Sequence, residues 1–243
     1  MHNKLLIEEF KEYFKMKKEI LQSDIFKFYS GYEPEISKEL VRKRTENIIK
    51  QGILKKVGKG VYALGNETNY QPELDPFIKK LYKKLNKEYP VVKFCLWNTK
   101  QLNEFMLHQP GRFYTIVETE NELSEYVFNY LKDFNKEVYH STDKDIIQKY
   151  ASFSFNSIIV KDLTTEAPIQ QVENIPSATL EKILVDIFCD DDLFIAHQGS
   201  ELEMIFRTSF EKYTVNKSKL FRYAARRNKK EQIIDFLNNL NSL

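Results

Sequence analysis

A few residue groups in this chain are of the types that could do chemistry. Asp190-Asp191-Asp192 is a carboxylate cluster, and clustered carboxylates are what hard divalent cations bind. Three adjacent aspartates at a helix end cannot all point at one ion, and no DxDxDG calcium-loop spacing is present, so the triplet reads as a solvated turn between helices. Glu118, Glu120, Lys161 and Asp162 fall at the ends of expected strands. A metal-dependent nuclease holds carboxylates and a lysine in such places, but the acid-x-lysine strand pattern is missing here. His2, His108, His140 and His197 lack zinc spacing. Gly58-Lys59-Gly60 is too short for a phosphate-binding Walker loop, and no GxSxG elbow occurs.

Gly199-Ser200 followed by Glu201 and Glu203 has the composition of a nucleotidyltransferase signature with the wrong spacing. That signature sets its acids on a later strand, whereas these follow at once inside a helix, which suits Ser200 as a helix-start cap. No catalytic residue, metal ligand or cofactor is assigned, and the chain is not expected to be an enzyme.

The strongest constellation is basic. Residues 36–64 hold eight Lys or Arg against two Glu, a local net charge of +6. Ser37 can cap a helix in which Ile36, Leu40, Val41, Ile48 and Ile49 form the apolar face. Lys38, Arg42, Lys43, Glu46 and Lys50 fall on the other side. Gly52 suits a left-handed helix stop. Strands at Ile53–Val57 and Val61–Leu64, joined by Gly58-Lys59-Gly60, would make a tight hairpin. A basic helix followed by a basic hairpin is the layout of a winged helix-turn-helix. Ser37, Lys38, Arg42 and Lys43 would meet the major groove, and Lys55, Lys56 and Lys59 would reach flanking phosphates. A solvated face or a protein-docking module would have the same pattern.

A second basic run, residues 216–230, carries seven cations and no acid. Leu220, Tyr223 and Ala224 can pack inward while Lys217, Lys219, Arg222, Arg226, Arg227, Lys229 and Lys230 remain for DNA, for an acidic partner, or for the acidic stretch 176–211 before it, which is net −6. The overall charge of +2 hides both patches.

The elements that would position these residues form an α+β chain in three parts. Residues 1–66 give three helices and a hairpin, with helices at 3–18 and from Ser23, the latter closed by Gly31. Residues 67–76 are a turn-rich linker. Residues 77–175 alternate short strands and helices, as a small α/β sheet does. The helix from Pro76 to about Tyr89 carries lysines at 79, 80, 83, 84 and 87. Strands are expected at Val91–Trp97, Arg112–Glu118, Glu137–Tyr139, Ser157–Lys161 and Ile169–Glu173, with helices at Thr99–His108, Asn121–Phe134 and Asp143–Tyr150. Residues 176–243 read as a C-terminal helical bundle of four helices that joins 77–175 in one larger domain. Cys95 and Cys189 lie in apolar surroundings without metal spacing and suit buried thiols in a reducing compartment. With no signal-peptide core and no run of about 18 apolar residues, the protein is expected in the cytoplasm with no membrane contact.

At RTENIIKQGILKKVGKGVYAL (44–64), and at TLEKILVDIF (179–188) with YTVNKSKLFRYAARRNKKEQI (213–233), the chain resembles the AbiE-type antitoxins of type IV toxin–antitoxin systems. It is closer to an uncharacterised bacterial offshoot of them, in which the block FCLWNTKQLNEFMLHQPGRFYTIVETE (94–120) recurs. The resemblance spans most of the chain. It implies a phage-defence antitoxin and transcriptional autorepressor that binds inverted repeats in its own promoter through the N-terminal winged helix. It also implies a C-terminal domain that counteracts a co-encoded nucleotidyltransferase toxin, through the toxin or its target. Two further hypotheses stand beside it: a DNA-targeted enzyme with a nuclease-like α/β domain, and a protein-docking adaptor.

Overall fold

The computed structural model describes residues 5–50, 53–65, 69–120, 122–143 and 156–241. The expected stop at Gly52, residues 67–68 of the expected linker and most of the expected helix over 143–150 lie outside them. The fold is mixed, with helices and three small sheets, and the chain divides into two compact units. One comprises Met1–Asn69 with Phe210–Ser218, the other Tyr70–Ser209 with Lys219–Leu243.

The first unit runs α1 (Ile7–Phe14), β1 (Ile20–Leu21), α2 (Gln22–Tyr32), α3 (Lys38–Lys50), β2 (Leu54–Gly58) and β3 (Val61–Leu64). The strands pair antiparallel in the order β1-β3-β2. Its core joins Phe10, Phe14, Phe28 and Tyr29 to Val41, Ile48 and Leu54. Burying such side chains contributes roughly 1.5–3 kcal/mol each. The N-terminal helix is shorter than the expected 3–18. Ser23 does not cap α2; the N–H of Leu21 instead donates to Asp24 at 3.1 Å. Helix α2 also continues one residue past Gly31. Strand β1 was not expected, because two residues carry no periodicity. Leu40 is not core: it is 41% exposed, while Ile36, Val41 and Ile48 are buried.

The second unit is built on a four-stranded sheet in the order β4-β5-β7-β6. Its strands are β4 (Phe94–Asn98), β5 (Phe113–Thr119), β6 (Val138–His140) and β7 (Asn156–Asp162). β4 runs antiparallel to β5, and β5 and β6 run parallel to β7. Alternation along a strand sends successive side chains to opposite faces. Phe94, Leu96, Val117, Ile158 and Val160 meet Ile78, Leu81 and Leu85 of α4 (Pro76–Glu88) and Val127 and Leu131 of α5 (Ser124–Lys132). The opposite face carries Cys95, Trp97, Glu118 and Lys161 and packs on α6 (Leu180–Cys189) and Phe194. The expected helix after β4 is a 3-10 helix over Thr99–Phe105.

The hairpin β8 (Ile169–Val172) and β9 (Ile175–Ala178) corrects the expectation of helix alone after residue 175. Glu173 and Asn174 both take positive φ, the two-residue turn that favours hairpins. Without glycine in it, the turn is silent in the sequence. Helices α7 (Ser200–Lys212), α8 (Lys217–Arg226) and α9 (Lys230–Asn241) follow. Among the described residues no helix is long and apolar enough to cross a membrane.

Candidate nucleic-acid interface and a buried charge network

The start of α3 is fixed by Ser37, whose hydroxyl accepts from the Leu40 N–H at 3.2 Å. The helix is anchored from within by Arg44. Its guanidinium donates to both Glu33 oxygens at 2.8 and 3.0 Å and lies over the Tyr29 ring at 5.0 Å. Burial pushes the Tyr29 hydroxyl up to about 12. Arg44 is therefore a buried strut, although its charge counts toward the basic segment.

Lys38, Arg42 and Lys43 are exposed on α3. Arg42 lies 3.8 Å from Glu46 and Lys43 3.2 Å from Glu39, both exposed one-turn pairs. Such pairs are worth about 0.3–0.5 kcal/mol and yield readily to a polyanion. Lys56 and Lys59 are exposed on β2 and in the turn after it, where Gly60 takes φ +71°. Lys55 is half-buried, and burial lowers its pKa. Lys38, Arg42, Glu46 and Lys56 come together around one groove between α3 and the sheet, with Gln22 and Tyr62 at its floor. Lys43, Lys55 and Lys59 do not line it. Tyr62 donates to Gln22 at 2.8 Å. Nothing local in the sequence marks Gln22 or Tyr62, which meet only when β1 joins β3.

Most of the second basic run is spent on carboxylates of the chain itself. Lys217 lies 2.5 Å from Glu19. Arg222 and Arg226 both reach Glu166, which they hold below the usual carboxylate range, the Arg226 hydrogen bond contributing most. Arg227 donates to Asp186 at 2.8 Å and Asp190 at 2.5 Å. Lys219 and Lys229 are half-buried, and Lys230 is exposed, 4.0 Å from Glu231. Pairing with the acidic stretch before it holds for Arg227, while Arg222 and Arg226 use a residue outside that stretch.

The other groups resolve into a buried network. Lys182, inside the apolar run of α6, sits 2.5 Å from Glu118 and also contacts Asp186. Tyr223 donates to Asp186 at 2.8 Å. Asp190 lies between Arg227 and Lys161, the latter at 2.5 Å, so it is not a free turn residue, whereas Asp191 and Asp192 are exposed. Burial alone would push Lys182 toward neutrality, but Asp186 and Glu118 hold its pKa well above the ordinary lysine value. Burial likewise works against the Asp186 carboxylate, and Lys182, Lys161 and Arg227 outweigh it. Glu118 faces Lys161 in register across β5 and β7, but its carboxylate is closed off by Lys182. Glu120 pairs with Lys93 at 3.4 Å, and Asp162 is exposed. Lys161, Asp162, Ser141, Thr164 and Asp190 border a pocket of about 270 Å³. Among the described residues no three His, Cys, Asp or Glu side chains converge as a metal site requires. His108 bonds Glu201 at 2.6 Å, and His140 bonds Ser124 at 3.2 Å. The sequence signal for the network was Lys182 and Asp186, one turn apart within a mostly apolar helix.

No curated protein matches the chain. The model of a family of unknown function, DUF6577, matches residues 40–243, from the first turn of α3 to the C-terminus. That span is most of the chain, which therefore belongs to the DUF6577 family.

Proposed function

We propose that the first unit is a winged helix-turn-helix that binds double-stranded DNA, with α3 as the reading helix and the β2–β3 hairpin as the wing. The observation that carries this is the groove flanked by Lys38 and Arg42 from α3 and Lys56 from β2. The element order α1-β1-α2-α3-β2-β3 and the strand order β1-β3-β2 support it. So does the fixed start of α3, because a helix that reads base edges must enter the groove at a set angle. Neutralised phosphates would supply most of the affinity and base-edge contacts the specificity.

Together with the resemblance to AbiE-type antitoxins, this makes the protein a transcriptional autorepressor acting in the cytoplasm, its operator in its own promoter and its counterpart a co-encoded nucleotidyltransferase toxin. Catalysis at the sheet ends is not proposed, since Glu118, Glu120 and Lys161 are each engaged by a side chain of opposite charge. A reporter fused to the DNA upstream of the gene tests the repressor role. Repression by the wild type that is lost with Arg42→Ala/Lys43→Ala is expected. Repression unaffected by those changes, or none at all, would contradict it.

A further inference from the structure

The α4/α5 face of the second unit has an exposed composition that the sheet does not require. The inner sides of both helices are spent on the core through Ile78, Leu81, Leu85, Val127 and Leu131. On the outer side of α5, Tyr126 and Phe134 are 67% and 60% exposed. Tyr130 lies between them at four-residue spacing, which places the three residues along one side of the helix and its closing turn. Tyr130 meets Phe134 and Tyr89 edge-to-face, with centroids 5.1 and 5.6 Å apart. Helix α4 runs alongside, and its Lys84 Nζ sits over the Phe134 and Tyr130 rings. Lys80 and Lys87 lie one turn to either side of Lys84 and are exposed. Among the described residues neither has a carboxylate partner. Glu88 adds to the burial that raises the Tyr89 and Tyr130 hydroxyls.

An ordinary solvated helix face does not set a line of aromatic rings beside a line of lysines. Each type excludes a class of partner. Tyr126 and the side of Phe134 away from Lys84 present flat π-faces, which an aliphatic or duplex surface does not match. The lysines favour a polyanion. Single-stranded nucleic acid carries both complements, unpaired bases that stack on aromatic rings and a phosphate backbone that follows a basic row. A duplex offers the phosphates but keeps its base faces stacked inside. We infer that the α4/α5 face binds single-stranded nucleic acid, with Tyr126 and Phe134 as stacking platforms and Lys80, Lys84 and Lys87 on the phosphates. The α3 groove has no part in it, so this site stands or falls independently of the duplex-binding proposal.

The test is fluorescence anisotropy of the full chain with labelled oligo(dT) and oligo(U) of about 15 nucleotides, a length that covers one such site. Tyr126→Ala/Phe134→Ala removes two exposed rings; because Phe134 also packs on Tyr130 and under Lys84, a small drop in melting temperature is expected, and binding is compared where both proteins are folded. The double variant is expected to weaken binding by at least tenfold, the lower end for losing one to two stacked bases. Lys80→Gln/Lys84→Gln/Lys87→Gln is expected to flatten the dependence of log K on log salt by about 0.7 for each phosphate no longer neutralised. Arg42→Ala/Lys43→Ala is expected to change neither. Binding of both oligomers identifies the single strand as such, and preference for one identifies DNA or RNA as the source. Absence of binding, equal binding by the ring variant, or loss of binding in the Arg42→Ala/Lys43→Ala protein would overturn the inference. So would concentration-dependent self-association that disappears in the ring variant without single-strand affinity, which would make this face a protein interface.

Discussion

Lys182 Nζ lies 2.5 Å from Glu118 Oε2 with both side chains sealed from solvent, one on α6 and the other on the central strand β5. The pair ties the sheet to the helix that covers it. Removing one member of such a pair leaves an uncompensated buried charge, which costs about 3–5 kcal/mol. Lys182→Met is expected to lose that much stability, because it strands Glu118 and weakens the hold on Asp186. Glu118→Gln/Lys182→Met should recover part of it. Urea unfolding followed by Trp97, the one tryptophan, reports on this unit. A single variant within about 1 kcal/mol of wild type would show that the pair contributes little.

A pH effect follows from His197, buried beside the Phe194 ring. Burial pushes its pKa down to about 4 from 6.5. The unfolded chain then binds a proton between those values that the folded chain refuses. Stability from this group is full above pH 6.5 and falls as the pH drops toward 4, with a slope of at most about 1.4 kcal/mol per pH unit. His197→Phe should flatten that part of the stability profile. An unchanged slope in the variant would place the titration elsewhere.

Arg44 is expected to hold the first unit together rather than to touch a ligand. Arg44→Ala should cost about 1–3 kcal/mol, less than a fully buried pair because Glu33 is 45% exposed. Arg44→Lys should rescue little, since a lysine cannot reproduce the planar contact with Tyr29. Hydrogen exchange of α2 and α3 amides measures this, and full protection in both variants would contradict it.

Ser37→Ala should cost about 1 kcal/mol by removing the cap on α3. Ser37→Asp should retain the stability but weaken duplex binding, because it places a negative charge at the helix end proposed to approach phosphate. Thermal melts and DNA titrations of the two variants separate the roles. Equal DNA affinity in Ser37→Asp would remove the start of α3 from the interface.

Helices α3 and α4 and the β2–β3 hairpin were legible because each combines a period with a punctuating residue: Ser37 before α3, Pro76 at the start of α4, Gly60 between β2 and β3. Three features were not. Strand β1 is two residues long, and its pairing partner lies far along the chain, at Val61 and Tyr62. The β8–β9 turn uses Glu173-Asn174, which lacks the usual glycine. Asp190 looks solvated beside Asp191 and Asp192 until Lys161 and Arg227 arrive from β7 and the end of α8. Of the candidate interface, the lysines and Arg42 were legible by charge. The burial of Arg44 and the floor of Gln22 and Tyr62 were not, since both depend on packing between distant segments.

The most direct test of the central claim is a mobility shift on DNA upstream of the gene at two salt concentrations. Wild type would be run beside Arg42→Ala/Lys43→Ala and Lys56→Ala/Lys59→Ala. Specific binding that weakens steeply with salt is expected, and each phosphate that a variant no longer neutralises should lower the salt slope by about one. The α3 variant should lose preference over random DNA, and the hairpin variant should weaken all sequences alike. Wild-type binding without preference over random DNA, with both variants indistinguishable from it, would contradict the proposal that α3 reads DNA.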